Sequence, residues 1–404
     1  MTDPAPTRTM LVLHIAPTPF FADRGCHIRI RNEIEALRDS GVRVILCTYH
    51  LGADPAGIDI RRTARIPGYT RVDAGFSPFR FPADILLFLL VLRTAWRERP
   101  DVLHAHLHEG ALIGWAVRLC LFWRRLPLIM DTQGSLSGEL VGYGTVCGTG
   151  RLVRLVRRVE RCICRLPQLF FCSSLRSLDL LRQDFNVPAE RLVLLNDVVP
   201  DRFFASCDAA AMREELGLPK DRTVVLYSGS LLPGKGLGHV LDAIAALHDR
   251  RPDLLFVLVG YPVDEVRTQL AARGLADAVR LVGRVPYDDL PRWLAVADIA
   301  LEPKEEVSGE ASGKVLHYLA AGLPVVCFDT VNNRELLGEL GYYARPQGDS
   351  FTTAILAAAD DPDGRQARGR AGREAVARTH SLAGIRTILA SWYGRLRDRG
   401  ASGG

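Results

Sequence analysis

The chain alternates short apolar segments with segments of helical periodicity, and this alternation constrains its fold more than any other feature. Residues 9–17 form an apolar run, residues 28–41 carry apolar side chains at helical spacing and end on glycine, and residues 42–50 are again apolar. The same rhythm returns at 101–106 and 126–132. Strand, helix and strand in succession are typical of a parallel sheet with helices between its strands. The sequence therefore predicts an α/β protein with doubly wound sheets.

Residues 200–221 interrupt this alternation, because they are polar and contain no apolar run. A second series of apolar and helical segments follows and supplies five further predicted strands. The chain of 404 residues also exceeds what one core normally supports. We therefore predict one Rossmann-like domain over residues 1–200 and a second over 201–385. Residues 386–404 are predicted to form a final helix, which no strand follows, and a disordered tail.

Net charge and cysteine content limit the class of protein. The formal net charge of +5 is small for this length, so no nucleic-acid partner is expected. The nine cysteines have no metal-binding spacing, and Cys162 and Cys164 form only a CxC pair. We expect them to be reduced, as in a cytoplasmic protein. There is no signal-peptide pattern and no apolar run of the roughly 18 residues that span a bilayer, which favours a protein that is soluble or peripheral on the inner face of the membrane.

Residues 296–329 combine a strand, a loop, a helix and a second strand. Residues 297–303 and 324–328 are the predicted strands, and residues 315–321 are a helix that Gly322 ends. The loop before this helix contains four candidate binding residues, Glu310, Ser312, Gly313 and Lys314. A loop at the carboxyl end of a parallel strand that leads into a helix offers free N–H groups and a positive dipole end. The sequence therefore predicts a site for a phosphate-bearing ligand here.

The segment LAAGLPVVCFD at 319–329 resembles the corresponding segment of the retaining glycosyltransferases of family 4. The resemblance implies the GT-B fold, in which two Rossmann-like domains face each other across a cleft. It also implies that the final helix, at 386–404, crosses back onto the first domain. It also implies a nucleotide diphosphate sugar as donor substrate, a hydroxyl acceptor, and neither a metal nor another cofactor. Glu310 stands near the family's first acidic position, which contacts the donor sugar, although it lies one residue short of the usual spacing. His317 occupies the second acidic position, where a ribose contact and a packed histidine are the two alternatives.

Residues 228–237 read SGSLLPGKGL and follow the first predicted strand of the second domain. The resemblance assigns Lys235, in a turn with Gly234, to the donor diphosphate, whereas Ser230 stands where the family carries an arginine. A lysine beside a glycine-rich turn can neutralise the charge of a leaving phosphate, and a merely solvated lysine is the alternative. Gly25 corresponds to a family glycine in the first loop, where the lack of a Cβ would let the backbone approach the donor phosphate.

Residues 104–110 read HAHLHEG and place three histidines at alternate positions at the end of a predicted strand. Alternate positions can gather metal ligands on one face, but no further ligand stands at a usual spacing, so no metal site is predicted. The family resemblance implies instead that His106 faces the reaction centre from the first domain. A buried structural histidine is the alternative.

Two segments of the first domain indicate contact with an anionic membrane surface. Residues 85–92 are eight consecutive apolar residues, and residues 151–165 carry six arginines among aliphatic side chains at helical spacing. A basic amphipathic helix of this kind can lie on anionic lipid headgroups. The alternative is a helix that packs on the core and keeps its arginines in solvent. The membrane hypothesis suits an acceptor that is linked to a lipid, such as a precursor of a cell-surface glycan.

The resemblance thus implies a hexosyltransferase-type retaining glycosyltransferase of family 4. It also implies front-face departure and attack, which need no nucleophilic carboxylate. The departures at Ser230 and His317 motivate one alternative, a glycosyltransferase-like subunit that binds a partner and lacks catalysis. A second alternative is a nucleotide-sugar epimerase of the same fold.

Overall fold

The computed structural model describes residues 9–38, 40–70, 72, 77–137, 150–205, 207–305 and 313–402. The chain divides into two compact units, each with its own hydrophobic core. The N-terminal unit contains the described residues up to Asp197 together with those from Leu382 onward, and the C-terminal unit contains the described residues from Val198 to Ser381. The division falls close to the predicted boundary at residue 200.

The N-terminal unit is built on a parallel sheet whose strands are arranged in the order β3-β2-β1-β4-β5-β6-β7. These strands are β1 Met10–Ala16, β2 Val42–Thr48, β3 Asp59–Arg62, β4 Val102–His106, β5 Leu128–Thr132, β6 Leu169–Cys172 and β7 Leu192–Leu194. Strands β4 (VLHAH) and β5 (LIMDT) are buried along their whole length, so their histidine, aspartate and threonine side chains are buried together with their apolar ones. The strand order is that of a doubly wound sheet.

Helices connect these strands. They are α1 Gly25–Leu37, α2 Arg80–Glu98, α3 Leu107–Cys120, α4 Arg151–Ile163 and α5 Leu175–Gln183. One core of aliphatic and aromatic side chains, among them Ile15, Leu87 and Phe170, joins the sheet to α2 and α3. Apolar side chains on one face of helix α2, among them Leu87 and Val91, are buried and pack it on the core.

The C-terminal unit has a second parallel sheet in the order β10-β9-β8-β11-β12-β13. Its strands are β8 Thr223–Ser228, β9 Leu254–Val259, β10 Val279–Gly283, β11 Ile299–Glu302, β12 Val325–Phe328 and β13 Tyr342–Ala344. Its helices are α6 Ala209–Glu215, α7 Leu237–Leu247, α8 Asp264–Ala272, α9 Leu290–Ala295, α10 Gly313–Ala320, α11 Val331–Leu337, α12 Ser350–Ala359 and α13 Pro362–Thr379. This unit is doubly wound as well.

The last helix, α14 Leu382–Ser402, belongs to the N-terminal unit. It begins four residues before the predicted start at 386 and packs on α1. Its side chains Leu389 and Tyr393 are fully buried. Arg386 adds a hydrogen bond from Nε to the carbonyl oxygen of Ala36 at 2.7 Å.

The predicted strands are present at the expected places, and β3 and β13 are two that the sequence analysis missed. Gly322 has φ 78°, the left-handed conformation expected of the residue that ends α10. Within the described part of the chain, no helix combines the length and the hydropathy needed to cross a membrane.

Candidate functional site

Two neighbouring strands in the middle of the C-terminal sheet end side by side, at the end of the sheet where its strands have their carboxyl termini. Ser228 ends β8, Glu302 ends β11, and the two strands pair in parallel. Helix α10 begins at Gly313, and its Tyr318 joins it to β8. The Tyr318 hydroxyl accepts a hydrogen bond from the Ser228 N–H at 2.9 Å and lies 3.0 Å from Ser228 Oγ. We call this arrangement of Ser228, Glu302 and the first turns of α10 the β8-β11 corner.

Lys314 is the cation of this corner. Its Nζ lies 3.3 Å from a carboxylate oxygen of the buried Glu302 and 4.6 Å from the centre of the Tyr227 ring. Burial disfavours the ammonium form, but the Glu302 carboxylate and the Tyr227 and Tyr318 hydroxyls outweigh this, so the pKa of Lys314 is raised above its ordinary value. Lys314 is therefore charged at any physiological pH.

The turn that carries Lys235 lies against the end of β11. Residues Pro233–Lys235 form one 3₁₀ turn, and Gly236 follows with φ 82°. A Cβ at Gly236 would overlap the carbonyl oxygen of Pro303, the residue next to Glu302, so only glycine permits this close approach. Gly234 is exposed and Lys235 is half-buried. The structure thus brings the predicted phosphate-binding turn to the β8-β11 corner.

The loop after β8 runs beside Lys314. A Cβ built on Gly229 would lie 3.2 Å from Lys314 Nζ. The carbonyl oxygen of the next residue, Ser230, accepts a hydrogen bond from the Tyr227 hydroxyl at 2.9 Å. Ser230 is half-buried at the place where an arginine was expected from the resemblance. Glu310 and Ser312, which were predicted for the same loop region, lie outside the described residues.

His317 is packed inside the C-terminal unit. Its Nε2 is hydrogen-bonded to the Tyr287 hydroxyl at 2.8 Å, and its ring centre lies 4.4 Å from that of Phe203. Burial, with a smaller contribution from Arg202, lowers the pKa of His317 to about 3. The imidazole is therefore neutral in the folded protein. A ribose contact at His317 stays a prediction. Such a contact would have to use a part of the imidazole other than Nε2, because Nε2 is hydrogen-bonded to Tyr287.

Gly25 is the first residue of α1, and a Cβ built on it would meet no atom within 4 Å among the described residues. A larger side chain would thus fit the space, and the approach of a phosphate to this backbone stays a prediction.

His106 is fully buried at the end of β4. Its Nε2 lies 2.9 Å from Nδ1 of His14, and its Nδ1 lies 3.2 Å from an oxygen of Asp131. Both ring nitrogens therefore face protein atoms. A contact with an acceptor, as the resemblance implies, stays a prediction that would require one of these neighbours to move. His108, the third histidine of the motif, lies on α3 and faces Glu160 at 3.3 Å.

A buried ion-pair network surrounds His106. Arg29, on α1, donates hydrogen bonds to both oxygens of Asp131, and it also pairs with Glu33 at 3.1 Å and Asp197 at 2.7 Å. Burial raises the pKa of the Asp131 carboxyl, but the Arg29 guanidinium and His106 outweigh it, so this pKa lies below its ordinary value. Burial and the Asp131 charge raise the pKa of Glu33 above its ordinary value.

The N-terminal unit also exposes an unusual amount of apolar side-chain surface on its helices. Trp96 of α2 is 55% exposed, and its ring meets that of Trp123, which is 54% exposed, at 6.0 Å. Phe122, beside Trp123, is 72% exposed. Other exposed apolar residues on α2 and α3 are Phe81, Ile85, Leu89, Leu112, Trp115 and Leu119. We call this set, with the exposed face of α4, the apolar helical face.

Helix α4 has a core-facing side and a basic outer side. Val153, Glu160 and Ile163 are buried, whereas Leu152, Leu155 and Val159 are exposed. Six arginines are exposed around this outer stripe: Arg151, Arg154, Arg157, Arg158, Arg161 and Arg165. Both alternatives from the sequence therefore describe part of the helix, since it packs on the core and still presents aliphatic and cationic side chains outward.

Comparison with known proteins identifies the class. A family model described as glycosyl transferases group 1 matches residues 222–361, and one described as a glycosyl transferase 4-like domain matches residues 24–196. Sucrose-phosphate synthase from Thermosynechococcus elongatus superposes with a TM-score of 0.79 at 19% identity, covering 96% of this chain and 99% of that one. The fold is thus GT-B, with two Rossmann-like domains. The chain thus contains a glycosyl transferase 4-like domain followed by a domain of the glycosyl transferases group 1, as the sequence had predicted.

Two curated relatives and one further structure are informative. D-inositol 3-phosphate glycosyltransferase of Streptomyces scabiei is 28% identical over 389 residues, which cover 86% of this chain and 84% of the relative. 2-Deoxystreptamine glucosyltransferase of Streptomyces kanamyceticus is 26% identical over 306 residues, with 73% and 77% covered. The structure of Anabaena HepE in complex with UDP-glucose has a TM-score of 0.73 at 18% identity, with 96% and 100% covered.

Sequence reasoning missed Glu302 and Tyr318 of the β8-β11 corner. It also missed Tyr227, whose ring lies next to Lys314. Glu302 is the last residue of β11, and the sequence analysis placed it only within the predicted strand 297–303. An acidic residue at the last position of a buried strand, at the sheet edge where ligands bind, is the signal that could have found it.

Proposed function

We propose that this chain is a retaining glycosyltransferase that moves a sugar from a nucleotide diphosphate sugar to a hydroxyl acceptor. The observation that carries the proposal is the β8-β11 corner, where Lys314, the Lys235 turn and the start of α10 adjoin. Cationic side chains and the free N–H groups of a helix start suit a diphosphate. The glycosyltransferase relatives and the structure of HepE in complex with UDP-glucose support this donor class.

The two lysines have different roles in this proposal. Lys314 is already paired with Glu302, so it fixes the geometry of the corner more than it adds net charge. Lys235, on the exposed turn, supplies the cation that neutralises the leaving diphosphate, and the Gly313 amide adds a hydrogen bond. Glu310 contacts the donor sugar, as the family resemblance implies. With Ser230 in place of an arginine, the diphosphate has one cation fewer than in the family pattern.

Retention at the sugar carbon follows from front-face chemistry. The bond between the anomeric carbon and the phosphate oxygen breaks, and the acceptor oxygen bonds to the same face of that carbon. The proton of the acceptor hydroxyl moves to the departing phosphate oxygen, which is the base of the reaction. Lys235 stabilises this step because negative charge grows on the phosphate as the bond breaks.

We also propose that the acceptor is linked to a lipid and that the apolar helical face binds an anionic membrane surface. Exposed tryptophans and a stripe of arginines are the side chains that bind the interface of a bilayer. A soluble acceptor is the alternative that the membrane experiment below can favour.

A panel of nucleotide sugars, with and without acceptor, tests the reaction class. We expect release of nucleotide diphosphate from one donor, faster when a hydroxyl acceptor is present, and a product whose anomeric configuration equals that of the donor by NMR. Binding of a nucleotide sugar without any release would favour the non-catalytic subunit. Conversion of the free nucleotide sugar to an epimer would favour the epimerase.

Glu310→Gln tests the sugar contact. We expect this change to impair transfer and to leave the affinity for free nucleotide diphosphate nearly unchanged, because the proposed contact is to a sugar hydroxyl. Glu305→Gln is the matched control, since the Glu305 carboxylate is hydrogen-bonded to His239 at 2.9 Å. Impaired transfer in the Glu305 variant alone would mean that the motif is placed wrongly by several residues.

A further inference from the structure

Four buried polar side chains from three elements lie together inside the N-terminal unit. They are His14 of β1, Glu33 of α1, and His104 and His106 of β4. One candidate ligand atom from each lies within 4.8 Å of those from the other three. His14 and His104 are direct neighbours across β1 and β4, so the sheet register itself brings the first two imidazoles together.

The separations inside this cluster suit coordination of one ion. Two nitrogen or oxygen ligands on a tetrahedral zinc ion stand about 3.3 Å apart, given bonds of about 2.0 Å. His14 Nδ1 and His106 Nε2 are 2.9 Å apart, and His104 Nε2 and a Glu33 oxygen are 3.6 Å apart. These two separations lie near the expected value. All four candidate ligand atoms lie within 4.8 Å of one another, so binding one ion would require shifts of up to about 1.5 Å in their separations.

Two of the imidazoles have the outer hydrogen bonds that orient metal ligands. Nδ1 of His106 faces the Asp131 carboxylate at 3.2 Å, and Nδ1 of His104 faces the Tyr393 hydroxyl at 2.7 Å. Each bond leaves Nε2 of its ring directed to the inside of the cluster. A carboxylate or hydroxyl behind the far nitrogen is the usual support of a metal-bound histidine.

Several polar atoms of the cluster lack hydrogen-bond partners. Among the residues that the structure describes, Nε2 of His14, Nε2 of His104 and both oxygens of Glu33 are buried without a hydrogen bond. One Glu33 oxygen faces the Arg29 guanidinium at 3.1 Å as an ion pair, and the hydrogen bond between His14 Nδ1 and His106 Nε2 is one that a bound ion would replace. Buried polar atoms without partners are costly and call for a water or an ion. Nε2 of His104 and the other Glu33 oxygen, 3.6 Å apart, therefore point to a missing ligand between them.

Charge balance favours a dication. Within the described part of the chain, Arg29 faces three carboxylates, those of Glu33, Asp131 and Asp197. When Glu33 is ionised, as a carboxylate that binds a metal is, one positive charge faces three negative charges. This leaves an excess of two at a site where burial makes unbalanced charge expensive. A divalent cation beside Glu33 would cancel this excess.

We infer that His14, Glu33, His104 and His106 form a structural binding site for one divalent transition-metal ion, with zinc as the ion that three imidazoles and a carboxylate suit best. The site would tie β1, α1 and β4 together. Through the hydrogen bond of His104 to Tyr393 it would also hold α14 in place. The metal site lies in the N-terminal unit, whereas the proposed diphosphate site lies in the C-terminal unit.

Metal content of the wild-type full chain is the first test. The protein, freed of any tag, is incubated with zinc, separated by gel filtration and analysed by mass spectrometry of the metal. We expect about one zinc per chain, and a lower thermal midpoint after treatment with a strong chelator. A folded wild-type chain without stoichiometric zinc or cobalt after this loading would overturn the inference.

Cobalt substitution identifies the ligands. Four-coordinate cobalt bound by imidazole and carboxylate should absorb in the visible region without the near-ultraviolet band of a cobalt thiolate. This distinction matters because Cys120, Cys162 and Cys207 are exposed and could bind metal adventitiously. A thiolate spectrum would assign the ion to those cysteines and reject the proposed site.

Variants complete the test. His14→Gln and His104→Gln should each weaken zinc affinity roughly tenfold or more. His248→Gln, on an exposed histidine of the C-terminal unit, is the control and should keep the wild-type zinc affinity. Unchanged zinc affinity in both folded cluster variants would contradict the inference. If the variants do not fold, the cobalt spectrum of the wild-type chain still decides.

Discussion

Lys235 is the residue whose replacement most directly tests the donor site. We expect Lys235→Ala to reduce kcat/KM roughly 100-fold or more, about 3 kcal/mol of transition-state stabilisation, because this lysine neutralises the leaving diphosphate. Lys220→Ala is the matched control, since Lys220 is an exposed lysine of the same unit that pairs with Glu214. Steady-state kinetics on both variants, with circular dichroism to verify folding, measure the difference. Equal activity of the two would remove Lys235 from the site.

His317 makes the stability of the protein depend on pH. Its folded-state pKa of about 3 lies below the ordinary value of 6.5, so the unfolded chain binds a proton that the folded chain does not. Stability is therefore lost as pH falls below about 6.5. Between pH 7 and pH 5 this residue alone should cost about 2 kcal/mol of unfolding free energy.

Urea unfolding of wild type and His317→Gln at both pH values checks this. The variant should lose about 2 kcal/mol less than wild type on acidification, because it has no imidazole to protonate at this position. His248→Gln, which removes an exposed imidazole, should retain the wild-type slope. A parallel loss in wild type and the His317 variant would show that the ring is not held neutral.

At the scale of single residues, the sequence predicted those parts of the site that stand in loops with a recognisable pattern. Lys235 and Lys314 were predicted in this way and stay predictions, and the structure brings their segments to one corner. Glu302 and Tyr318 were not found, because a buried polar group is stabilised by partners that are distant along the chain. The cluster of His14 and Glu33 with the histidines of β4 was hidden for the same reason.

At the scale of elements, the junction between the Lys235 turn and α7 depends on one glycine. Gly236→Ala should destabilise the protein by at least about 2 kcal/mol, because φ is 82° and the new Cβ would overlap the Pro303 carbonyl oxygen. Gly238→Ala, two residues later in α7, meets no atom within 4 Å and should be neutral or stabilising by up to about 1 kcal/mol. Denaturant unfolding of the two variants compares them. Equal stability would mean that the turn is free to move away from β11.

The elements that the sequence predicted are those with a continuous apolar run. Strands β1, β4 and β9 are almost wholly buried, and each was visible in the sequence. Strand β3 was missed because it is an edge strand of the N-terminal sheet with the polar sequence DIRR. Strand β13 was missed because it has only three residues, at an edge of the C-terminal sheet. An edge strand is half in solvent and takes its conformation from its neighbour, so its own residues carry little signal.

At the scale of the whole molecule, the apolar helical face predicts reversible binding to membranes. Each arginine near an anionic leaflet contributes on the order of 1 kcal/mol, and the exposed tryptophans add apolar contact. We expect co-sedimentation with anionic liposomes at low salt and release as salt rises. Replacing Arg154, Arg157, Arg158 and Arg161 by Gln should abolish binding.

The control for this experiment removes the same charge from the other unit. Exposed arginines of the C-terminal unit suitable for replacement by Gln are Arg250, Arg267, Arg280 and Arg370. This control has the same net charge as the α4 variant, and the two differ only in where the four arginines are removed. It should therefore bind vesicles as wild type does. Failure of the wild-type chain to bind anionic vesicles at low ionic strength would favour a soluble acceptor.

The return of α14 to the N-terminal unit has a consequence for biosynthesis. Domains generally fold as they leave the ribosome, the first one first. Here the pocket for Tyr393 between α1 and β4 stays unfilled until the whole C-terminal unit has been translated. The half of the protein that is made first is thus finished last, and a nascent chain that stalls after the second sheet would present an incomplete first domain to chaperones and proteases.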